Sequence, residues 1–525
     1  MPEADAARFT AEFLRATALA ERGVAHAQHS LGYMYFNGQG IAQDQELAVL
    51  WYRRAASQGL QHAQYNLGVM CQKGQGTVQS HEQAAHWYRL AAEQGYAAAQ
   101  YNLGWLYAKG QGMGQDSARA MHWFSKAAEQ GDAGAQNNLG MMYDTGKGVP
   151  QDFLQAIAWY RKAAEQGYAR AQFNLGLRHA NGQGVARDPL QALAWLRKAA
   201  GQGYAPAQFN LALRYDKGED LAQDSQQAVL WYARAAEQGH ASAQFNLGLI
   251  FDSGQGVARD APAALDWYRK AAAQGHAGAQ NNLGLRHEHG QGVVQDFALA
   301  GQWYRKAAGQ GFAAAQYHLG LLHAGGQGMP PDQQEALSWY RKAADQGHAR
   351  AQFELGLRCE NGQGVAPDER LALDWYRRAA AQEYAPAQYM LGRLHERDAG
   401  PAPDAGQAHA CYLNAAAQGH TLAQFALGLR CDNGQGVAQD HAAAMDWYLQ
   451  AARQGHARAQ LNLGLMYLSG QGVAADGVQA YLWLSMAGKS GAGMARKYIA
   501  QAAARLDPGQ LLHARERIAL LENGC

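Results

Sequence analysis

Glutamine recurs at positions 28, 64, 100, 136, 172, 208, 244, 280, 316, 352, 388, 424 and 460, an unbroken step of 36 residues. Thirteen returns without an insertion or deletion leave few folds open. A fixed period of this size belongs to a solenoid, whose units cannot bury their apolar faces alone and so pack on their neighbours. The 525 residues exceed what one compact core supports, and a solenoid escapes that limit because its core grows along one axis. Every other residue is therefore read by its slot in the frame.

Residues 97–131 show how one unit is written. Ala99, Leu103, Gly104 and Tyr107 fall at helical spacing and form one face. Gly110-Gln111-Gly112 ends that helix, because glycine tolerates the left-handed cap. Asp116 then offers a short side chain to cap the next helix, which brings Ala120, Trp123, Ala127 and Ala128 to one face before Gly131 ends it. The slots of Ala99, Leu103, Ala120 and Ala127 never vary. The Gly104 slot departs once, at Ala212, and the Asp116 slot once, at Ser80. Small residues at these places let helices approach closely. Trp fills the Trp123 slot in every unit but one, where Cys411 stands, so this column is expected to be core. Truncating Trp267 within it should then cost about 3–5 kcal/mol.

Leu-Gly-x-x-Tyr, Gly-x-Gly-Val, an Asp, and Ala-x-x-Trp-Tyr-Arg-Lys-Ala-Ala-Glu-Gln-Gly together resemble the Sel-1-like repeat, a relative of the tetratricopeptide repeat. Tyr65-Asn66-Leu67-Gly68 and Tyr101-Asn102-Leu103-Gly104 are also similar to the first tetratricopeptide helix. The resemblance implies an all-α, right-handed superhelical solenoid of 36-residue helix-turn-helix repeats, with first helices lining a concave groove. It also implies an interaction scaffold of bacterial type without catalytic residues. The expected organisation is a capping helix in 1–23 with Phe9, Phe13 and Leu14 covering the first repeat, thirteen repeats in 24–491, and capping helices in 492–525. The repeat near 388–423 is degenerate. Glu383 replaces a Gly before it, Arg397 through Pro403 replaces the regular loop, and Cys411 replaces Trp, so a bend and first proteolysis are expected near 396–406.

Composition excludes several functions. Lys plus Arg total 45 against 44 Asp plus Glu, a balance that argues against a nucleic-acid partner. No run of about 18 apolar residues is present, so no membrane insertion is expected. The acidic start, Met1-Pro2-Glu3-Ala4-Asp5, does not read as a signal peptide, which points to the cytoplasm, with signal-independent secretion left open. Cys71, Cys359 and Cys431 occupy the Tyr107 slot and Cys411 the Trp slot, behaving as small hydrophobes rather than a disulfide framework, and Cys525 ends the chain. The Gly-Gln-Gly loops leave a helix and lack a following Lys-Ser/Thr, so they are not phosphate loops. His179, His287, His323 and His395 take the Tyr107 slot and read as core imidazoles. His287-Glu288-His289 diverges around its helix and lacks the HExxH spacing. No cofactor, no metal and no catalytic residue is expected.

A paired column marks the candidate partner-binding surface. Tyr65/Val69, Tyr101/Trp105, Phe173/Leu177, Phe209/Leu213, Phe245/Leu249, Tyr317/Leu321 and Phe353/Leu357 each sit four residues apart and share a helix face. The alternative for the aromatics is packing between repeats. Beside them run Asp144, Asp216, Asp252, Glu288, Glu360, Glu396 and Asp432, and a second column of Arg178, Arg214, Arg286, Arg358 and Arg430. These charges read as solvated faces and inter-repeat ion pairs. On the second helices, Arg161-Lys162, Arg197-Lys198, Arg269-Lys270, Arg305-Lys306 and Arg341-Lys342 form a ridge read as solvated. The expected function is a non-catalytic adaptor binding a protein or peptide segment, as a monomer, with self-association the alternative. Competing readings are an envelope peptidoglycan or glycan binder and a β-lactam hydrolase. The resemblance to cysteine-rich family members suggests the latter, but this chain lacks their paired cysteines.

Overall fold

The computed structural model describes residues 3–396 and 404–523, with side chains over 11–396 and 404–519. Twenty-nine helices and no strand are present among them. The chain divides into two compact units, Met1–Trp267 and Tyr268–Cys525, with the dividing point inside the helix Ala261–Ala273. The first unit opens with Glu3–Glu21 and continues in helix pairs. The first pair is Ala25–Asn37 with Gln45–Ser57, the third Ala97–Lys109 with Ser117–Glu129, and the fourth Ala133–Thr145 with Phe153–Glu165. The second unit holds the pairs from Ala277–His289 with Phe297–Gly309 to Ala457–Ser469 with Gly477–Lys489, then Ala495–Ala503 and Pro508–Asn523.

The caps explain the regularity. Each second helix with a described cap begins after an Asp, or after Ser80, whose side chain accepts a backbone N–H in the first turn. Asp116 takes that of Arg119 at 2.9 Å. First helices end on a glycine such as Gly110, at φ 69°. The second loop glycine is needed for a different reason. A Cβ on Gly112 would lie 2.3 Å from the backbone of His81, at the start of the preceding second helix. First helices are capped by a residue that the 36-residue frame leaves variable. His240, His276, His348, His420 and His456 each accept the backbone N–H three residues on through Nδ1, at 3.2–3.3 Å, and Asp132 does so at 2.7 Å.

The repeating glutamine joins one pair to the next. Gln64 donates from Nε2 to the Ala56 carbonyl of the preceding second helix, and its Oε1 accepts from Gln94 at the end of its own pair, at 2.8 Å. Gln100, Gln316 and Gln352 repeat both bonds. Gln460 is the exception: Ser490 stands where the accepted donor would be, and its Oε1 has no partner.

The core differs from expectation by one position on the second helix. Phe124, not Trp123, lies with Ala120, Ala127 and Ala128, and the same slot elsewhere holds residues such as Tyr88, Tyr304, Tyr340 and Tyr376, each fully buried. Trp51 and Trp375 are buried, whereas the other column tryptophans, Trp267 included, are only half-buried. Around a helix the residue after Trp points between the two alanines of the following turn, while Trp falls on the flank. This buried ring also explains the Gly104 slot. A Cβ on Gly68 would meet the Tyr88 ring at 2.7 Å, and one on Gly356 the Tyr376 ring at 2.5 Å.

At the ends, Phe13 packs edge-on to Tyr35 with centroids 5.6 Å apart, while Leu14 is 63% exposed and covers nothing; the Phe9 side chain lies outside the described residues. The loop 397–403 expected to bend also lies outside them. Glu383 takes the left-handed backbone of the glycine it replaces, at φ 60°. Cys71, Cys359 and Cys431 are buried free thiols, and Cys411 is a half-buried one.

Candidate functional site

The second-helix surface is more occupied than its sequence suggests. Lys162 lies 4.1 Å over the Trp159 ring, Lys198 4.2 Å over Trp195, Lys306 4.3 Å over Trp303 and Lys342 3.8 Å over Trp339. In these four Arg-Lys pairs the lysine therefore covers the tryptophan three residues earlier through a cation–π contact. The arginines and lysines themselves remain exposed, so the ridge is a solvated row of charge that also covers part of the Trp flank.

On the first helices the paired columns separate. Tyr65, Tyr101, Phe173, Phe209, Phe245 and Phe353 are half-buried, and Tyr317 is buried. Tyr65, Phe209, Tyr317 and Phe353 pack on rings of their own pair and of the junction with the next, Tyr101 on Phe124 of its own pair, and Phe173 on Tyr204 at the junction. Phe209 lies 5.9 Å from Tyr232 and stacks on the cap His240 at 4.6 Å, and Tyr317 lies 4.9 Å from His348. The aromatic member is thus largely a joint between repeats. Burial raises the Tyr65 and Tyr101 hydroxyls and pushes Tyr317 up to about 12, so all stay protonated donors at neutral pH. The second member faces outward: Val69, Trp105, Leu177, Leu213, Leu321 and Leu357 are half-buried and Leu249 is 40% exposed.

The charged columns run inward. The buried tyrosine hydroxyls donate to carboxylates sixteen residues earlier: Tyr304 to Glu288 at 2.5 Å, Tyr376 to Glu360 at 2.8 Å, Tyr412 to Glu396 at 2.8 Å. Arg178 pairs with Asp144 of the preceding repeat at 2.9 Å, and Arg430 with Glu396 at 2.5 Å. Arg286, Arg358 and Arg430 are only 5%, 6% and 3% exposed and so are not solvated; Arg178 and Arg430 make the expected inter-repeat pairs, whereas Arg358 pairs with Glu354 of its own helix. Arg214 instead meets Asp220, a left-handed residue in a loop-glycine slot. Burial raises the Asp144 carboxyl, opposed by Arg178. Glu288, flanked by His287 and His289, is committed to Tyr304. His318, stacked on Tyr304 at 5.0 Å, is pushed down by burial to about 4 and is neutral. Among the described residues no three His, Cys, Asp or Glu side chains gather as a metal would require.

Sequence reasoning missed the tyrosine–carboxylate pairing, yet a signal for it exists. The units that lose the hydroxyl, at Phe124, Leu196 and Leu484, are units whose partner slot is apolar, at Ala108, Ala180 and Leu468. The two exceptions find other partners: Tyr340 accepts from Arg358 at 3.4 Å, and Asn66 bonds Tyr52.

Space opens within the network, as in a hollow of about 360 Å³ lined by Glu396 and Arg430, and also where the network is absent. In the first unit a cavity of about 660 Å³ lies between the third and fourth pairs, walled by Tyr101, Trp105, Phe124 and Met141, with Lys109, Lys147 and Arg170 at its margin. A second, of about 480 Å³, is walled by Tyr65, Val69 and Trp105, and a third, of about 140 Å³, by Tyr33, Phe36 and Val69.

A family model described as the Sel1 repeat matches the chain thirteen consecutive times, from residues 25–60 through 457–491. Among solved structures, the chain is 32% identical to a protective antigen present in uropathogenic Escherichia coli strains that displays an SLR fold. That match covers 96% of this chain and 93% of the other, with a TM-score of 0.54. A Sel1 repeat protein from Oxalobacter formigenes is 37% identical over 58% of this chain and 89% of its own, with a TM-score of 0.46. No curated protein matches the sequence. No helix among the described residues is long and apolar enough to cross a membrane.

Proposed function

The chain belongs to the Sel1 repeat family, and from that premise we propose that it is a non-catalytic scaffold whose first-helix face binds a polypeptide segment of a partner protein. The observation that carries this reading is the uneven closure of the two helix surfaces. Most second-helix tryptophans are covered by a lysine or arginine of their own repeat, as Trp159, Trp195, Trp231, Trp303 and Trp339 are, whereas Trp105, Leu177, Leu213, Leu249, Leu321 and Leu357 stay partly open on the first helices. A regular apolar stripe left open is a binding surface more readily than a solubility feature. Its aromatic neighbours, fixed between repeats, hold the stripe rigid, which lowers the entropic cost of docking. Tyr65, Tyr101, Phe173, Phe209, Phe245, Tyr317 and Phe353 accordingly act as supports, and the residues four positions later as contacts.

The test is affinity capture followed by mass spectrometry with two variants of the full chain. Leu177→Ser, Leu213→Ser and Leu249→Ser together should abolish capture of partner proteins, with helicity unchanged by circular dichroism. Lys162→Gln with Lys198→Gln should leave capture intact. The reverse pattern in folded variants would move the working surface to the second helices. Retention on purified cell wall in place of protein capture would favour a glycan-binding role.

A further inference from the structure

The first pairs lack two charged residues of the seam in succession, whereas the later pairs lack them only here and there, at Ala180, Ala324 and Leu468 and at Ile250, Leu322, Leu394 and Met466. The place that holds Asp144, Asp216, Glu288, Glu360 and Glu396 is taken by Phe36, Gln72 and Ala108 in the first three pairs. The place of Arg178 and Arg430 is taken by Met34, Met70, Leu106 and Met142 in the first four. No buried ion pair crosses this part of the seam, and the three cavities lie here.

They form a row. Val69 walls both the smallest and the middle cavity, and Trp105 both the middle and the largest, so each opens one repeat beyond the last. The charge beside them has one sign. Lys73 edges the middle cavity and Lys109, Lys147 and Arg170 the largest, all four exposed, and no carboxylate lines any of the three. None of these cations takes part in an ion pair among the described residues. Asp132, whose charge also reaches Tyr101, is engaged as the cap of Ala133–Thr145. Cations with no internal partner, set beside a large aromatic-walled hollow and a middle one that adds Gln72, Gln79 and Asn102 to Tyr65, Val69 and Trp105, concentrate positive potential where a ligand would enter. The apolar walls can seat bulky side chains with most of their surface removed from water.

We propose that this row of cavities holds an acidic segment of the partner protein. Its bulky apolar side chains sit in the cavities, and its carboxylates meet Lys73, Lys109, Lys147 and Arg170. Three hollows joined by shared walls suit a polymer that presents side chains at intervals, whereas a compact small molecule would fill one. The inference rests on the scaffold reading and adds the partner's chemistry and the place of its anchor.

The experiment is selection of a phage-displayed library of random peptides on the full chain. Enriched peptides should carry net negative charge and large apolar residues, and their affinity should fall as salt rises. The variant with Lys109→Gln, Lys147→Gln and Arg170→Gln changes only exposed side chains and keeps the fold. It should bind these peptides at least about tenfold more weakly, while Lys162→Gln with Lys198→Gln binds them as before. Enrichment of basic or neutral peptides, or of acidic ones indifferent to the triple variant, overturns the inference. Peptides that depend on Leu177 and Leu213 but not on the cations would leave the scaffold reading standing without it. No enrichment at all would end both.

Discussion

The third pair of the first unit and the tenth pair of the second share a frame and fill it differently. In the tenth pair Tyr376 donates to Glu360 at 2.8 Å, and Arg358, 6% exposed, lies over the Tyr340 ring of the pair before. In the third, Phe124 has no hydroxyl, Ala108 stands where the acid would be, and a cavity of about 660 Å³ opens beside them. The packing slots, Ala99 with Ala351, Leu103 with Leu355 and Gly104 with Gly356, are alike in both. The difference separates slots that make the repeat stand from slots that give each junction its character. Alanine and leucine hold the helices together, and the seam residues decide whether the ring between them is hydrogen-bonded, as Tyr376 is, or purely apolar, as Phe124 is.

The strongest challenge to that division is to remove the common part. Phe124→Ala and Tyr304→Ala, both made at fully closed positions, should each cost about 3–5 kcal/mol, equally in the hollow and in the networked region. Trp303→Ala should cost less, about 1–2 kcal/mol, because the ring is half-buried and held mainly by Lys306. Urea titrations followed by circular dichroism would show this, and a costlier Trp303 variant would restore the tryptophan column as the core. A finer cut exchanges the junction chemistry. Phe124→Tyr places a hydroxyl opposite Ala108 with no acceptor and should lose about 1–3 kcal/mol. Adding Ala108→Gln should recover most of the loss, since Gln72 already accepts from Tyr88 at 2.6 Å. Failure of the rescue would mean that the pairing of these two slots is not energetic.

The smallest expected effect concerns acid. Burial lowers His276, His348, His420 and His456 in the second unit, and of the histidine caps in the first only His240. A folded-state pKa below the ordinary 6.5 means that the unfolded chain takes up the proton first. Each cap's contribution is therefore complete above 6.5 and is lost as pH falls through the folded value. Protonated Nδ1 can no longer accept the backbone N–H, a loss of about 1 kcal/mol per cap. Hydrogen exchange between pH 7 and 5 should loosen the starts of the first helices in the second unit more than those at Ala97–Lys109 and Ala133–Thr145. Uniform loosening would show that the histidines act only as fillers.

Much of this was readable in the chain. The glutamine period gave the helix pairs, the Asp and Gly slots gave their ends, and Cys71, Cys359 and Cys431 were placed in the core by the slot they share with Tyr107. The second helix was misjudged because Trp and Tyr are adjacent and both apolar, and only one residue of rotation, settled by the facing Gly104 slot, decides which ring goes inside. Of the charged columns, the inter-repeat pairing was legible and Arg178 with Asp144 shows it, but the burial of Arg286, Arg358 and Arg430 was not, because a period read slot by slot does not show what packs over each slot. The cavities were invisible for a related reason. Their walls, such as Val69 with Trp105 and Tyr101 with Met141, come from slots of successive repeats whose contact the period alone does not show.

The glutamine ladder has a direction. Its amide donates backward, to a carbonyl eight residues upstream, and accepts from a side chain thirty residues downstream that closes the same hairpin, as Gln100 does with Ala92 and Gln130. No rung waits for a residue beyond its own repeat. A chain leaving the ribosome amino end first can therefore latch each hairpin onto the one already made, as a ratchet takes one tooth at a time. The nascent protein never has to hold an open joint for a distant strand of itself to arrive. Gln460, with Ser490 in place of the closing glutamine, is the one rung in this ladder whose catch has nothing to engage.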